Sequence, residues 1–580
     1  MNIEILTQTE LLELSGDPGR FTARVQTHPR FVDLAKCTSC GECAKVCPVE
    51  LPNEYDEGLS PKRAAYKRYA QAIPGAFAIH KSDPAPCRTT CPAGINVQGY
   101  VQMVKTGNYE AALKIIMQQL PLPGVLGRIC PHPCEDACRR LEVDQAVAIR
   151  DLKRLAADQF DPRQIEIACA PRREEKVAII GSGPAGLSAA YHLAVKGIGS
   201  TIFEALSEAG GMLRVGIPDH RLPREVLDRE IEVITGLGVE IKTSTPLGPD
   251  LAIDDLLRDG YKSVYLALGA HKPMALGISG ETSHGVTQGV EFLRELNLTG
   301  ATHLGRKVAI IGGGNVAIDV SRAAIRLAAE EVQILYRRTR AEMPAWEEEI
   351  EAAESEGVKI TYLVAPTQVL HENGHVSGVR CVRMQLGEPD RSGRRRPVPI
   401  NGSEFDLEID QFIPAIGQRP DLTAIEKVTG LEFTRYHTVT TDDLSCATGR
   451  PGVFAGGDLV TGPATVIEAI AAGKAAAESI RRYLDDEDLR QGRQSTAPDE
   501  PAVRPISDMA PLADRTPMPH LPVADRAGNF AEVELGYQPE QGTQEAERCL
   551  NCGYCCECEQ CVPACLAEAI DHTQQTHQLD

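Results

Sequence analysis

Residues 176–204 read KVAIIGSGPAGLSAAYHLAVKGIGSTIFE, a pattern that predicts a buried strand, a glycine-rich turn, a helix and a second strand ending on an acid. Gly181 permits the tight turn, Gly183 lets the backbone approach a pyrophosphate, and Gly186 lets the helix lie close to the strand. The helix N-terminus presents unpaired N–H groups to the phosphates. Glu204 then lies where a carboxylate accepts hydrogen bonds from ribose hydroxyls. The stretch therefore predicts a dinucleotide site in an α/β domain.

The composition predicts a globular chain of several domains. Of 580 residues, 42% are hydrophobic and 24% are charged, and the formal net charge is −21. This acidic balance argues against nucleic-acid binding, because that affinity comes largely from Lys and Arg side chains that neutralise phosphates. The N-terminal segment lacks the basic and apolar regions of a signal peptide, and no apolar run approaches the roughly twenty residues of a membrane span. We therefore expect a cytoplasmic protein without a membrane span.

Nineteen cysteines are concentrated near the two ends, and sixteen of them lie in the first 138 residues or the last 32. Because cytosolic thiols are held reduced, we predict metal ligands and not disulfides. Sixteen ligands would suffice for four clusters with four ligands each. The other three, Cys169, Cys381 and Cys446, are predicted to be ordinary buried residues.

Two runs of cysteines have the C-x2-C-x2-C-x3-C spacing that is typical of iron–sulfur ligation. Their members are Cys37, Cys40, Cys43 and Cys47 in the first run and Cys555, Cys558, Cys561 and Cys565 in the second. The fourth cysteine of such a run binds either the same cluster or a neighbouring one, and the spacing leaves this open. Zinc is the alternative metal, but its sites usually combine separated C-x2-C pairs. Cys556 is an additional cysteine within the second run.

A helical segment with its own cysteines extends from Cys87 to about Phe160. Apolar residues recur in this segment at helical spacing. If its helices fold back as a hairpin, they bring together a further set of four thiols. This predicted set is Cys91, Cys130, Cys134 and Cys138.

A second glycine fingerprint, RKVAIIGGGNVAIDVSR, begins at Arg306. Ala317 replaces its third glycine, which is a permitted substitution. The next predicted strand runs into two arginines where the first unit has an acid, and arginines would pair with a 2′-phosphate. NADPH is therefore favoured over NADH, and the alternative for the arginines is a solvated basic turn. The predicted NAD(P) contacts are Gly312, Gly314, Asn315, Val316, Arg337 and Arg338.

Seven phrases of the chain resemble one family. They are CPAGINVQGYV, ICPHPCEDAC, IGSGPAGLSAA, GGMLRVGIPDHRLP, IGGGNVAIDVSR, YRRTRAEMPA and AGGDLVTGPATVIEAIAAGK. Over residues 81–485 the chain resembles the NAD(P)H-oxidising small subunit of glutamate synthase and its relatives. Those relatives include the large subunit of the NADH-dependent ferredoxin:NADP transhydrogenase and the N-terminal half of dihydropyrimidine dehydrogenase. Residues 1–80 instead resemble an insert in the flavin subunit of heterodisulfide reductase.

The resemblance implies an α/β fold with two Rossmann-like dinucleotide-binding domains, similar to those of glutathione and thioredoxin reductases. A helical iron–sulfur domain precedes them, and ferredoxin-like cysteine motifs flank the whole. The predicted boundaries are 1–80 for the N-terminal segment with the first cysteine run, 81–165 for the helical domain, 171–290 and 411–485 for the two parts of the FAD domain, 291–410 for the NAD(P)H domain, 486–540 for a surface linker and 541–580 for a C-terminal ferredoxin-like half-motif.

The resemblance also implies which residues hold FAD. Asp458 would bind the ribityl hydroxyls, and the helix that begins near Thr465 would point its positive end at the flavin. The alternative for Asp458 is a turn or N-cap residue. The predicted FAD contacts are Gly181, Gly183, Pro184, Ala185, Gly186, Glu204, Gly211, Leu213, Gly216, Arg221, Gly269, Gly457, Asp458 and Thr465. Glu468, near the same helix end, is the candidate catalytic residue.

The chain departs from the family just before Cys87, where relatives carry a C-x2-C pair and this sequence has AFAIHKSDPAP. A similar phrase, EAERCLNCG, supplies Cys549 and Cys552 near the C-terminus. We predict that this tail completes a cluster with Cys87, whose fourth ligand is unassigned. The alternative is an unligated Cys87 and an independent tail.

These features predict an oxidoreductase that transfers electrons between NAD(P)H and a partner redox protein through FAD and two to four 4Fe–4S clusters, first through the Cys91 set. A flavin exchanges electrons with nicotinamide in pairs and with clusters singly, so it must lie between them. By resemblance the partner is dissimilatory sulfite reductase or a glutamate synthase large subunit, and a homodimer is a further expectation. A flavin-dependent disulfide reductase and a non-catalytic iron–sulfur scaffold are the alternatives.

Overall fold

The computed structural model describes residues 5–390, 393–493, 503–506 and 510–579. The first elements are a long hairpin and short strands around the first cysteine run. They are β1 (Thr9–Asp17), β2 (Arg20–Thr27), α1 (Glu42–Lys45), β3 (Glu50–Pro52), β4 (Pro61–Arg63), β5 (Ala65–Tyr66) and β6 (Ala78–Ile79). The hairpin strands β1 and β2 pair antiparallel and expose most of their side chains.

A small helical domain follows, as the apolar spacing predicts. Its helices are α2 (Pro86–Thr89), α3 (Val97–Lys105), α4 (Tyr109–Met117), α5 (Pro123–Ile129), α6 (Pro133–Asp136) and α7 (Ile149–Gln159). Asn96 and Asn108 cap α3 and α4, because their side-chain oxygens accept hydrogen bonds from the backbone N–H groups of Gly99 and Ala111. The buried faces of these helices form one apolar core with the domain that follows.

Two dinucleotide-binding domains come next in the chain. Their elements are β7 (Lys176–Ile180), α8 (Pro184–Val195), β8 (Gly199–Phe203), α9 (Met212–Val215), α10 (Arg224–Gly236), β9 (Glu240–Lys242), α11 (Ile253–Arg258), β10 (Tyr261–Leu266), β11 (Lys272–Pro273), α12 (Gly289–Thr299), β12 (Lys307–Ile311), α13 (Asn315–Arg326), β13 (Glu331–Tyr336), α14 (Glu347–Ser355), β14 (Lys359–Tyr362), β15 (Val364–Glu372), β16 (His375–Pro389), β17 (Arg395–Pro399), β18 (Phe405–Glu408), β19 (Gln411–Pro414), β20 (Gln418–Arg419), β21 (Val453–Ala455), α15 (Asp458–Thr461) and α16 (Val466–Leu484).

Each of these domains is built on a parallel sheet, with its glycine turn directly after β7 or β12. The strand order is β21-β10-β7-β8-β9 in the first domain and β14-β13-β12-β19 in the second. The second domain adds an antiparallel sheet of β15, β16 and β17, with β18 paired to β16. Strands β11 and β20 pair antiparallel where the chain crosses between the domains. The predicted fold class is therefore confirmed.

The two ends of the described chain meet. The last elements are α17 (Pro539–Glu547), α18 (Cys561–Ala564) and β22 (His577–Leu579), and β22 pairs with β2. The N–H of Cys555 donates a hydrogen bond to the carbonyl oxygen of His80 at 2.9 Å. Residues 553–579 therefore pack with residues 5–80 as one unit, which we call the terminal domain, whereas α17 packs on the helical domain.

The predicted surface linker, residues 486–540, is partly built into the fold. Its residues 494–502 and 507–509 lie outside the described residues. Residues 510–540, which we call the strap, contain side chains that are as buried as those of a core. The prediction of a surface linker is therefore wrong for the strap. The Pro, Asp and Arg content of the strap is typical of a loop, but its charged side chains pair with buried residues.

Ion pairs fix the strap to two domains. Glu532 lies 2.7 Å from Nε of Arg128 in the helical domain. Nη1 of Arg526 lies 3.1 Å from Glu356, which follows α14 in the second dinucleotide-binding domain. Tyr537, 3% exposed, packs into the core of the helical domain. The strap therefore joins the helical domain to the second dinucleotide-binding domain.

The longest described helix is α16, with 19 residues. Within the described parts of the chain, every helix falls short of the length or the hydrophobicity that a membrane span requires.

Candidate dinucleotide and iron–sulfur sites

A cavity of about 1480 Å³ lies between the two dinucleotide-binding domains. Both glycine turns reach it, because Gly181, Gly183, Gly312 and Gly314 all line it. Ligands of open α/β sheets bind at this edge, beyond the carboxyl ends of the strands. Among the described residues of its wall there is no cysteine, which the disulfide-reductase alternative would need. Parts of both predicted dinucleotide sites therefore face one cavity.

Two of the predicted contacts, Gly186 and Gly211, lie behind the cavity wall. All the other residues predicted to contact FAD and NAD(P) line the cavity. A Cβ atom at Gly186 would stand 2.0 Å from the carbonyl oxygen of Gly181, and one at Gly211 would stand 2.7 Å from Cα of Gly183. Both glycines therefore shape the first turn by letting backbone segments approach closely, and they do not face a ligand.

The carboxylate of Glu204 is fixed at the end of β8. Its Oε2 accepts a hydrogen bond from the N–H of Ser182 at 2.8 Å, and its Oε1 accepts one from the N–H of Leu206 at 2.8 Å. The residue is only 5% exposed but lines the cavity. A carboxylate has further acceptor capacity beyond these bonds, so Glu204 can also accept from the hydroxyls of a ribose.

The N-terminus of α16 lies beside Asp458. Burial raises the pKa of Asp458 to about 6, although the N–H of Ala464 donates a hydrogen bond to it. Thr465 and Glu468 form a capping box, in which Glu468 accepts a hydrogen bond from the N–H of Thr465 at 2.9 Å. Glu468 does not line the cavity. The prediction of a catalytic Glu468 is therefore corrected, because its carboxylate caps the helix.

Arg337 and Arg338 have different surroundings at the end of β13. The guanidinium of Arg338 is buried and donates hydrogen bonds to the carbonyl oxygen of Arg395 at 2.7 Å and to Asp390 at 2.9 Å. Arg337 is exposed on the cavity wall. The predicted arginine pair is therefore divided: Arg337 is available to a 2′-phosphate, whereas Arg338 braces the antiparallel sheet.

Arg221 lines the cavity, and its charge also connects the two dinucleotide-binding domains. Its Nη1 donates to both carboxylate oxygens of Asp319, each at 2.8 Å, and its Nε lies 3.0 Å from Glu349. All three side chains are largely buried. Arg221 therefore holds α13 and α14 against the turn that follows α9.

In the terminal domain the two cysteine runs lie against each other. Burial raises the pKa of Cys43 to about 11, and the neighbouring thiols that raise it further include Cys565 of the other run. Burial likewise raises the pKa of Cys555 to about 12, with Cys47 and Cys558 adding to the effect. These neighbours favour an exchange of the fourth cysteines between the runs, which stays a prediction. The predicted sets are Cys37, Cys40, Cys43 and Cys565, and Cys47, Cys555, Cys558 and Cys561.

A third set of thiols surrounds one small cavity. Cys87, Cys138, Cys549 and Cys552 all line it. Burial raises the pKa of Cys549 to about 12, and Cys552 and Cys138 raise it further. The tail therefore returns to Cys87 as predicted, and Cys138 stands in the unassigned fourth position. Cys138 therefore does not belong to the predicted Cys91 set. It lies after the end of α6, where the chain faces α2, and α2 carries Cys87.

Three cysteines of the predicted Cys91 set stay together. Burial raises the pKa of Cys134, with Cys130 and Cys91 adding to it, whereas the nearby Lys153 lowers it. Lys153 is only 5% exposed, and cysteine spacing gave no reason to expect a lysine there. Cys130 lies beside the flavin side of the large cavity, because its chain neighbours Ile129 and Pro131 both line that cavity.

The thiol sets fit iron–sulfur clusters by the chemistry of their donors. Buried thiols with raised pKa values, here Cys43, Cys134, Cys549 and Cys555, lose their protons only when a cation compensates the thiolates. Iron supplies that compensation, and thiolate ligands are those that iron–sulfur clusters take. Burial raises the pKa of Tyr100, and thiols of both the Cys87 set and the Cys91 set raise it further.

The remaining cysteines only partly follow the predictions. Cys381 is buried as predicted, but Cys446 is half-buried and Cys169 is exposed. Cys169 is exposed because it lies in the irregular segment before β7. Cys556 is buried against Val49 and Leu51 and packs beside Cys47, Cys555 and Cys558, so it is a further thiol next to the C-terminal run.

Comparison with protein families gives the same picture. Residues 175–473, just over half of the chain, match the model of the pyridine nucleotide-disulphide oxidoreductase family. The chain belongs to this family. Residues 63–165 also match the 4Fe-4S domain II of dihydropyrimidine dehydrogenase, and residues 30–51 match a 4Fe-4S binding domain.

Characterised relatives of this oxidoreductase extend over most of its length. It is 46% identical over 524 residues to the NADP(+)-dependent formate dehydrogenase subunit beta of Moorella thermoacetica, covering 84% of this chain and 73% of the relative. It is 42% identical over 586 residues to the NADPH-Fe(3+) oxidoreductase subunit beta of Geobacter sulfurreducens, covering 92% and 84%. It is 34% identical over 426 residues to the glutamate synthase (NADPH) small chain of Escherichia coli K12, covering 69% and 88%. The predicted likeness to the glutamate synthase small subunit is therefore confirmed.

The family and the 4Fe-4S matches establish the cofactor classes of this oxidoreductase. They are FAD, a nicotinamide dinucleotide and 4Fe–4S clusters, as predicted. The prediction that the protein is an enzyme is also confirmed. Which residues hold each cofactor, and how many clusters the chain carries, stay predictions.

Proposed function

We propose that this protein is the NADPH-linked subunit of an oxidoreductase, exchanging electrons between NADPH and a partner protein through FAD and iron–sulfur clusters. The observation that carries the proposal is the position of Cys130. The two residues beside it, Ile129 and Pro131, wall the flavin side of the large cavity, so a cluster on the Cys91 set would adjoin the flavin. Bound FAD would supply the exchange between electron pairs and single electrons.

The chain's own residues would position the dinucleotides. Glu204 and Asp458 offer acceptors to the ribose and ribityl hydroxyls of FAD. The N-terminus of α16, beside Thr465, offers a positive helix dipole to the flavin. On the nucleotide side, the exposed guanidinium of Arg337 is available for the 2′-phosphate that distinguishes NADPH from NADH.

The order of the thiol sets supports a route from the cavity to the surface. The Cys91 set adjoins the large cavity, whereas the Cys87 set lines a separate small cavity. The terminal domain carries the other two sets, and there Cys40 is exposed. Leu566, 95% exposed beside Cys565, offers an apolar contact at the same surface. We place the docking site of the partner on the terminal domain for this reason.

The partner we propose is a separate oxidoreductase subunit. Two relatives that cover most of this chain are named as beta subunits, one of an NADP(+)-dependent formate dehydrogenase and one of an NADPH-Fe(3+) oxidoreductase. Purification from the native host under anaerobic conditions, followed by identification of the bound chains, tests this. A dissimilatory sulfite reductase or a glutamate synthase large subunit would identify the partner, whereas isolation with only a second copy of this chain would contradict the proposal.

The proposed reaction is tested by anaerobic reduction of a viologen dye with NADPH or NADH as donor. Protein with full FAD and iron should turn over with NADPH and more slowly with NADH. Cys130→Ser should keep FAD and lower dye reduction, because the cluster adjoining the flavin is lost. Absence of turnover with both nucleotides on fully loaded protein would contradict the proposal and favour the non-catalytic scaffold.

A further inference from the structure

A lysine crosses from the FAD domain to the thiols beside the flavin. Lys474 lies on α16, directly after Gly473, where a Cβ atom would stand 2.2 Å from the carbonyl oxygen of Ala185 on α8. This close packing fixes α16 on α8. The Nζ of Lys474 donates a hydrogen bond to the carbonyl oxygen of Ala93 at 2.9 Å and another to the side-chain oxygen of Gln119. Both acceptors belong to the helical domain.

The charge of Lys474 is not neutralised by a neighbouring acid. Among the described residues, both of its hydrogen-bond acceptors are neutral oxygens, and it takes part in no ion pair. Lys196, close by on the same side of α8, is different, because its Nζ lies 2.8 Å from the carboxylate of Glu478. Ala93, which accepts one of these hydrogen bonds, is two residues after Cys91 in the chain, so the ammonium group lies beside the loop that carries this thiol. Burial lowers the pKa of Lys474, and the thiol of Cys91 acts in the opposite direction.

We propose that the ammonium group of Lys474 stabilises the reduced form of the cluster bound by Cys91, Cys130 and Cys134. Each electron that enters the cluster adds one negative charge. A fixed positive charge near the ligands favours that charge, and most strongly where water is excluded. Charge and hydrogen bonding around a cluster are among the determinants of its reduction potential. Lys474 would therefore favour transfer from the flavin to this cluster.

This inference rests on the proposed function, because it needs that cluster beside the flavin. Its test is an equilibrium measurement that needs no turnover. The midpoint potential of each cluster is followed by electron paramagnetic resonance during a redox titration of the full chain. The signal of the relevant cluster is identified by its loss in Cys134→Ser. If that signal persists in every cysteine variant, the proposed function is overturned. The lysine variants described below test only the effect of Lys474 on the reduction potential of the cluster.

Two neutral variants separate charge from position. Lys474→Met removes the charge and the hydrogen bonds, while Lys474→Gln removes the charge and keeps a donor. Both should lower the ratio of reduced to oxidised cluster at a fixed potential by about tenfold, which corresponds to 59 mV for one electron. Lys474→Arg should keep the native potential. Lys196→Met is the matched control. The charge of Lys196 is paired with Glu478, so its removal should leave every cluster potential unchanged.

Three results would overturn the role of Lys474. One is an unchanged potential in both neutral variants with iron and sulfide retained. A second is an equal shift of all clusters, which would indicate a general change in the fold. The third is loss of this cluster in both neutral variants, since Lys474 would then be needed to build the site and not to set its potential.

Discussion

Arg337 and Arg338 are adjacent in sequence, but only Arg337 has its guanidinium exposed on the cavity wall. We predict that Arg337→Ala raises the KM for NADPH by about tenfold to a hundredfold and leaves the KM for NADH nearly unchanged. Hydrogen bonds to a charged group contribute about 1.5–3 kcal/mol, and about 1.4 kcal/mol is tenfold in affinity. Steady-state dye reduction with each nucleotide measures this. Arg340→Ala is the control, because Arg340 already pairs with Glu347; equal losses with both nucleotides would contradict the prediction.

A second prediction at the scale of one residue concerns Glu468. Because its carboxylate caps α16 and lies off the cavity wall, Glu468→Ala should leave the rate of NADPH-dependent dye reduction within about twofold of native and cost about 1 kcal/mol of stability. Turnover on FAD-loaded protein and the urea midpoint measure the two effects. A large loss of turnover at full FAD content would restore Glu468 as a catalytic residue.

The glycine fingerprints were predictable from sequence because their constraint is local. Gly181 has φ 104°, which favours glycine, and a Cβ atom at Gly186 would meet the carbonyl oxygen of Gly181 in the same turn. Lys153 and Lys474 were not predictable. Each lies near a thiol set only because helices far apart in sequence meet, and a lysine on a helix has no spacing rule that indicates such a partner. By contrast, Thr465 and Glu468 have the local T-x-x-E spacing of a capping box, a signal that could have identified the capping role of Glu468.

Among the elements, α13, α14 and the strap meet at Glu356. Burial would raise the pKa of Glu356, but hydrogen bonds from Arg326 and Arg322 lower it to about 2, and the side chain is only 2% exposed. Because the folded pKa is depressed below the ordinary value of 4.5, the carboxylate contributes about 3 kcal/mol of stability above pH 4.5, and this is lost as the pH falls through 2. Arg526 of the strap shares this carboxylate.

We predict that Glu356→Gln lowers the unfolding free energy of this domain at pH 7 by about 3–5 kcal/mol, because it leaves buried guanidinium groups unpaired. The variant should also lose the fall in stability between pH 4.5 and 2. The single tryptophan of the chain, Trp346, lies at the start of α14, so its fluorescence during urea unfolding reports on this region. Glu354→Gln is the control, since Glu354 pairs with the half-exposed Arg340. Parallel pH profiles of native protein and Glu356→Gln would contradict the prediction.

At the scale of the whole molecule, the predicted exchange of Cys47 and Cys565 between the two cysteine runs can be tested by substitution. Cys565→Ser should remove the cluster held by Cys37, Cys40 and Cys43, and Cys47→Ser should remove the one held by the C-terminal run. Each variant should lose about four iron atoms per chain. Iron analysis and paramagnetic resonance measure this. Cys169→Ser is the control and should keep all iron, because Cys169 is exposed in the segment before β7; intact clusters in Cys565→Ser would show that each run binds its own.

The grouping of the cysteines and the position of the strap were only partly predictable from sequence. Spacing identifies a cysteine run, because three ligands lie on one loop, but it does not say which distant thiol completes the set. Cys138 shows this: it is close in sequence to Cys134 but lies with Cys549. The strap was likewise assigned to the surface because its composition is that of a loop, whereas its carboxylates are paired with arginines of the helical domain.

The pairing of β22 with β2 has a consequence for biosynthesis. The ribosome makes the N-terminal cysteine run before both dinucleotide-binding domains, and it makes the thiol predicted to complete that run after them. If the fourth cysteines are exchanged, the N-terminal cluster cannot be closed until both of those domains have been synthesised.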